Sequence, residues 1–379
     1  MHAHRVPEEG GGALTLLRAV HVSVHGRERD GTLHRDPRGE LRTALPQEDA
    51  GPDTKESAED RRGILSSSGL NEDLTPPLRP VSTYSIVALD RETDEVGVAV
   101  QSHWFSVGSV VTWAEAGVGA VATQSFVEAS YGPLGLASMK SGKSPREALQ
   151  SLLLRDKNRE ARQVAMINTK GKVAVHTGAR CIPEAGHATG DGFSAQANLM
   201  SSDKVWGAMA SRFKASRGPL ARRLMAALEG AEEEGGDVRG RQSAAMLIVK
   251  ARAPSAPWEG KVLELRIEDH PEPLKELGRL IRIHQAYSEA NIADDLASTG
   301  KMVQAMRKYS LAAKIAPEIE ELKFWQAVGL LNQGEIEEAK PLLREVFRVR
   351  KEWKRVLIQL PKCGLLKAPK GLVDSLLSA

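Results

Sequence analysis

The sequence predicts an α+β domain of layered sheets and helices, followed by an all-helical segment. Three observations carry this. Val- and Ala-rich runs joined by hairpin turns come first, amphipathic helical patterns follow, and strand patterns return at the end. From Pro271 onward the pattern is helical. Strands and helices do not alternate as a parallel βαβ sheet requires. No glycine pattern reads GxGxxG or a Walker loop opening a helix, so nucleotide binding has little support.

Residues 1–82 are rich in Gly, Arg, Glu, Asp, Pro and Ser and show no sustained periodicity. Such a segment buries too little apolar surface to offset its ordering entropy. It reads as a disordered extension, or as residues upstream of the true start, for which Val81 is a candidate alternative initiator. Tyr84 to Asp90 and Val96 to Gln101 are strand-like, with a turn at 91–95. Val107 to Trp113 and Val118 to Gln124 are read as the next strands. Tyr131-Gly132-Pro133 reads as the start of a helix lining the same region. Ser144-Pro145-Arg146-Glu147 is a capping box with Pro at the first helical position, and Leu149, Leu152 and Leu153 then share a face. Gln163 to Asn168 and Lys172 to Thr177 form a hairpin around Thr169-Lys170-Gly171. Helices are expected at 203–215 and 219–233, and strands at 243–250 and 262–268.

The first domain is therefore placed at 83–270 and the helical one at 271–379, beginning with a helix at 273–294. Within the helical domain Gly300 and Gly334 are 34 residues apart, as are Ala305 and Ala339, and Tyr309 and Leu343. That period, with a small residue at the helix contact and a bulky one four later, is that of tetratricopeptide-type repeats. A tail of this kind implies a protein partner.

The composition excludes several classes. The formal net charge is +3 over 379 residues, and the basic cluster Arg212, Lys214, Arg217, Arg222 and Arg223 lacks interleaved aromatics. It reads as a solvated helix face, and nucleic acid is not expected. Cys181 and Cys363 form no CxxC, so free thiols in a reducing compartment are expected, with no zinc site. No run approaches the length of a membrane span, and Arg18, His21 and His25 interrupt the apolar stretch near the N-terminus. The protein is expected in the cytoplasm, without a cofactor.

The chemistry-bearing candidates start with Thr83. A Thr or Ser heading such a hairpin attacks an amide if its own backbone amine is free, because that amine then serves as the base. Initiation at Val81 followed by loss of the initiating Met would leave Ser82 at the terminus, so Ser82 is the second candidate. Gln124 ends an apolar strand, where its amide could orient a substrate or complete an oxyanion hole. His176 ends the second hairpin. His187 and Asp191 are four apart, but surrounding glycines argue against the helix that would align them on a metal. In Gly235-Gly236-Asp237-Val238-Arg239-Gly240-Arg241-Gln242-Ser243, Asp237 could hold an amine or pair with Arg239. Arg239 or Arg241 could clamp a carboxylate. Gln242 and Ser243 complete this block.

Thr83 to Ala88, Gly117 to Gln124, Tyr131-Gly132-Pro133, His176-Thr177-Gly178, Gly235 to Ala244 and Glu268 to Pro273 together resemble one bacterial family of uncharacterised proteins. That family is assigned to the N-terminal-nucleophile (Ntn) hydrolase superfamily, and its members are sometimes labelled fimbrial assembly proteins. The resemblance runs from about 83 to 285. It implies a four-layer αββα sandwich of two antiparallel sheets, with Thr83 as nucleophile and backbone N–H groups and side-chain amides holding the oxyanion. The activity expected first is an Ntn-type amidohydrolase acting on a small amide or peptide, and a homodimer is expected because the fold often pairs. The sequence departs from proteasome-like relatives, which carry an Asp and a Lys near the nucleophile. Here Val98-Ala99-Val100-Gln101-Ser102 has no acid, and Ser109 to Trp113 has no Lys. The alternative is a catalytically inactive assembly or binding module of the same architecture.

Overall fold

The computed structural model describes residues 80–367 and 371–378. Of the expected N-terminal extension, 1–79 lies outside the described residues. The domain opens with a hairpin, β1 (Thr83–Asp90) and β2 (Glu95–Ser102). A four-residue helix, α1 (Gly108–Val111), leads into β3 (Thr112–Glu115) and β4 (Gly119–Ser125). Helices α2 (Tyr131–Lys140) and α3 (Pro145–Leu153) follow. Two hairpins come next: β5 (Arg162–Asn168) with β6 (Val173–Thr177), and β7 (Gly186–Gly190) with β8 (Phe193–Ala197). Helices α4 (Val205–Ala215) and α5 (Leu220–Glu233) precede the last hairpin, β9 (Ser243–Lys250) and β10 (Lys261–Ile267).

The strands form two antiparallel sheets, one in the order β10-β9-β2-β1-β8-β7 and one in the order β3-β4-β5-β6. Side chains of a strand alternate between its faces. In β1, Tyr84, Ile86 and Ala88 pack with Leu220, Leu224 and Leu228 of α5. Val87 and Leu89 point the other way and meet Ala120, Ala122, Ala165 and Ile167 of the four-stranded sheet. On that sheet's far side Val121, Val164 and Met166 pack under Leu136 of α2 and Leu149 of α3. The layers thus run helices, six-stranded sheet, four-stranded sheet, helices. Burial on both faces explains why β1 reads as a nearly unbroken apolar run.

Two local expectations are corrected, and one hairpin is added. Val107 to Trp113 is not one strand: residues 108–111 make a helical turn before β3. The Val107 N–H donates to the Ser243 hydroxyl at 3.1 Å, and the Thr112 hydroxyl donates to the Gly108 carbonyl at 2.8 Å. These contacts override the extended preference of the valines. The added hairpin is β7–β8, whose Asp191-Gly192 turn, with Gly192 at φ 71°, is a standard hairpin signal. The helix starting at Tyr131 packs outside the four-stranded sheet, its Tyr131 hydroxyl donating to Asp156 at 3.0 Å, away from the head of β1. The capping box at Ser144 forms as read, with both reciprocal bonds present.

The C-terminal region is helical: α6 (Pro273–Ser298), α7 (Met302–Ile315), α8 (Glu320–Gln333), α9 (Ile336–Val349), α10 (Trp353–Gln359) and α11 (Leu372–Ser378). The first of these runs to Ser298 rather than stopping at 294. Its Leu274 and Leu277 join the core beneath the six-stranded sheet. Later helices build their own core around Phe324, Leu331, Leu343 and Leu357. Gly300 and Gly334 both take left-handed φ, 76° and 85°, where the chain leaves a helix. Ala305 and Ala339 are both fully buried. No helix among the described residues is long and apolar enough to cross a membrane. Both cysteines are free, Cys181 buried and Cys363 exposed.

Because Leu277 is fully buried in the sheet's helical layer, Leu277→Ala should cost about 2–5 kcal/mol. Urea denaturation followed by tryptophan fluorescence would read this. A loss below about 1 kcal/mol would mean that α6 is not part of that core.

Candidate functional site

Thr83 heads β1 and is fully buried. Its hydroxyl donates to the Val81 carbonyl at 2.8 Å and lies 3.1 Å from the Ser102 hydroxyl on the paired strand. The Ser102 hydroxyl in turn donates to the Ser82 carbonyl. That same carbonyl oxygen accepts from Arg239 Nη2 at 2.8 Å, while Arg239 Nη1 reaches the Pro80 carbonyl at 3.4 Å. Arg239 is aimed by Asp237, through Nε to Oδ1 at 3.1 Å and Nη2 to Oδ2 at 2.8 Å. The buried Asp237 carboxylate also accepts the backbone N–H groups of Arg239 at 2.9 Å and His103 at 3.2 Å. Two consecutive left-handed glycines, Gly235 at φ 94° and Gly236 at φ 58°, turn the chain sharply out of α5 and deliver Asp237 to this position. A side chain at either would be strained.

The carbonyl on the other side of Thr83 is held by amides. It accepts from Gln124 Nε2 at 3.1 Å and from the Asn198 backbone N–H at 3.1 Å. Gln124 Nε2 also donates to Gln163 Oε1 at 2.7 Å, and its Oε1 accepts from Ser85 at 2.6 Å. Gln196 Nε2 donates to Ser85 at 2.6 Å, and Asn198 Nδ2 to Gln163 Oε1 at 2.9 Å. Gln124, Gln163, Gln196 and Asn198 are all fully buried. Buried amides that bind one another in this way favour a single arrangement. Gln124 therefore positions Thr83 through its carbonyl and has no free amide for a ligand. Against this background the buried Ser82 hydroxyl and Asn198 Oδ1 have no protein partner, and both lie at the head of β1.

The model of a family of unknown function, DUF1028, matches residues 83–277. The chain belongs to the DUF1028 family. The match starts at Thr83 and takes in Gln124, Asn198, Asp237 and Arg239. The chain is also similar to the crystal structure of protein SPO2555 from Silicibacter pomeroyi, a DUF1028 protein. Identity there is 31%, over 53% of this chain and 88% of that one, with a TM-score of 0.47. None of the curated proteins compared matches this chain.

The remaining candidates of the DUF1028 domain fall at different places. Ser243 lies opposite Ser102 across the β2–β9 pair, but its hydroxyl is taken by the Trp104 carbonyl and the Val107 N–H. Gln242 is near the surface, its amide donating to Asp269 at 3.2 Å, while its backbone N–H holds the Ser102 carbonyl at 3.1 Å. His176 stands on edge strand β6 with Nε2 at 2.8 Å from the Arg159 carbonyl, and the network around Thr83 does not include it. His187 and Asp191 are engaged separately, with Thr177 at 2.9 Å and Arg91 at 3.0 Å. Among the described residues no group of three His, Cys, Asp or Glu gathers as a metal site would. In the basic cluster, Arg223 is not a solvated residue. It pairs with the buried Asp90 at 3.2 Å and stacks 4.5 Å from the Phe213 ring centroid.

Beside the Asp237 anchor opens a cleft of about 320 Å³, lined by Glu232, Gly235, Asp237, Gly240, Arg241 and Pro271. Arg241 pairs with Glu232, which also accepts the hydroxyl of buried Tyr84. Burial, and then the charge of Glu232, push the Tyr84 phenol well above its ordinary value, so it stays a donor. Gln163, Gln196, Asn198 and Ser102 escaped the sequence reading. Their signal was a polar residue at a sheet-end position among Val and Ala, as in Ala195-Gln196-Ala197.

Asp237→Ala would leave the part-buried Arg239 guanidinium without its counter-charge, at a cost of about 3 kcal/mol. It should also release Pro80–Ser82, read as faster hydrogen exchange at Val81. A variant as stable as the parent, with Val81 still protected, would show that Arg239 needs no anchor.

Proposed function

We propose that the DUF1028 domain is an Ntn-type amidohydrolase acting on a small amide or peptide. In this reading Thr83 is the nucleophile once the Ser82–Thr83 bond is cut. One observation carries it. The carbonyl immediately before a buried Thr at the head of a central strand is gripped by a guanidinium and a hydroxyl. Donors placed on a carbonyl oxygen stabilise the negative charge that develops there during attack. The layer order of helices, two sheets and helices supports the same superfamily.

In the proposed self-cleavage, Thr83 Oγ1 attacks the Ser82 carbonyl carbon. The C–N bond breaks, the nitrogen gains a proton, and an ester joins Ser82 to Thr83 Oγ1. Water then hydrolyses the ester, releasing a carboxylate on Ser82 and leaving Thr83 with a free amine and a free hydroxyl. In turnover that amine takes the hydroxyl proton as the oxygen attacks the substrate carbonyl. Arg239 and Ser102, freed of Ser82, would hold the oxyanion. Ser102 and the Asp237–Arg239 pair would supply the polarity that relatives draw from an Asp and a Lys. A chain whose own start is Ser82 would use that hydroxyl instead, which in this structure is buried and unpartnered.

The helical region is proposed as a tetratricopeptide-like partner site, on the strength of the matched left-handed glycines and buried alanines 34 residues apart. Its groove of about 700 Å³ is lined by Met306, Leu311, Lys314, Leu330 and Pro341 among others. A second reading, an inactive module of the same architecture, draws support from the complete burial of Thr83 beneath Pro80–Ser82.

The test is covalent labelling of the mature protein by a β-lactone, located by peptide mass spectrometry. The label is expected on Thr83, and Thr83→Ala should abolish both label and amide turnover. Labelling that persists in Thr83→Ala would remove Thr83 from the mechanism. The base must be neutral, and a free α-amine titrates near ~7.7–8.0, so turnover should rise as pH increases from ~6 to ~9. A rate that falls across that range would contradict an amine base.

A further inference from the structure

We infer that the groove now holding Pro80–Ser82 is the binding site for the acyl side of an extended peptide substrate, with Val81 and Ser82 marking its side-chain preferences. For its catalytic meaning the inference rests on the hydrolase reading above; as a binding site it stands apart. The three residues are bound as a ligand strand would be. The Val81 N–H donates to the Ser125 carbonyl at 2.7 Å, and the Ser125 N–H donates back to the Val81 carbonyl at 3.0 Å. This is an antiparallel bridge of the kind by which sheets capture extended peptides. It forms at the last residue of β4, where Ser125 takes a left-handed φ of 69°, rare for a residue with a side chain.

The side chains are read as well. Val81 is 1% exposed and belongs to the core between the two sheets, with Val100, Val107 and Ala122. That slot suits a β-branched aliphatic residue and excludes a charge. Ser82 is fully buried, which admits only a small residue immediately before the cut. Arg239 spans the segment, touching the Pro80 and Ser82 carbonyls but not the Val81 carbonyl, which belongs to Ser125 and Thr83. All three carbonyls of a tripeptide are thus bound by the protein. A small free amide would leave the Ser125 and Val81 positions unused. The chemistry recognised is therefore an extended peptide with an aliphatic residue next to a small one, the small residue carrying the scissile carbonyl.

The test uses the full-length chain in a Thr83→Ala background, which keeps the segment attached and separates binding from catalysis. Val81→Asp places a carboxylate in the apolar slot and should expel the segment, seen as lost hydrogen-exchange protection at residue 81. A fluorescein-labelled Gly-Gly-Pro-Val-Ser amide, followed by fluorescence polarisation, should then bind at least ten-fold more tightly than to Thr83→Ala alone. The Pro-Asp-Ser analogue should bind at least ten-fold more weakly. If Val81→Asp does not fold, judged by its melting transition, Val81→Gly serves as the milder release. A released segment with no peptide binding overturns the proposal, and so does Val81→Asp with residue 81 still protected. Peptide binding in a protein whose Thr83 resists the lactone would sink the hydrolase reading and keep the groove. A labelled Thr83 without peptide binding would do the reverse.

Discussion

The grip of the Asp237–Arg239 pair on the Ser82 carbonyl oxygen is the contact around which the site is organised. A guanidinium can be aimed at a neutral carbonyl only if its charge is balanced nearby. Asp237 does this from a buried position, and its remaining lone pairs are filled by two backbone N–H groups. The bidentate geometry fixes the plane of the guanidinium as well as its place. Removing the acid would leave a stranded cation, which is why the pair must be considered as one unit. The glycine pair that ends α5 is part of the same unit, since its left-handed turns set where the carboxylate falls.

A second constraint acts from the opposite side of Thr83. Four buried amides and Ser85 fasten the Thr83 carbonyl inside the space between the sheets. The antiparallel ladders to β2 and β8 set the register of β1. The amide network reinforces that register, because any slip would strand several buried donors at once. The result is a hydroxyl held between a fixed carbonyl behind it and a polarised carbonyl ahead of it. Helix α5 covers one face of β1 and the four-stranded sheet covers the other, so both faces are buried.

Much of this was legible in the sequence where burial is two-sided or periodic. The hairpins β1–β2, β5–β6 and β9–β10 follow from Val- and Ala-rich runs bounded by turn residues, and α3 follows from its capping box. The Gly-Gly-Asp-Val-Arg block announced a built loop, and Asp237 and Arg239 do pair. What was illegible depended on contacts between distant segments. The valines at 107–111 wind into a helical turn because Ser243 takes a backbone N–H from them. The strands β7 and β8 are short and glycine-rich, so their alternation is weak. Gln163, Gln196 and Asn198 each look like an isolated polar residue until the sheets face each other. His176 and Gln242 were attractive as residue types, but their hydrogen bonds go to the Arg159 carbonyl and to Asp269. Residue type cannot show which partner a side chain finds first.

Under the proposed function the same contacts would link stability to activity. Residues 80–82 add a strand bridge, an aliphatic side chain and three bound carbonyls to the fold, and under the proposed function they also cover Thr83 until it is released. Cutting the Ser82–Thr83 bond would exchange that stability for a vacant, polarised pocket. Intact-mass measurement and N-terminal sequencing of the protein purified from its producing cells test this most directly. A chain that begins at Thr83 with an unblocked amine is the predicted result. A chain that turns over amides while Thr83 remains joined to Ser82 would contradict it.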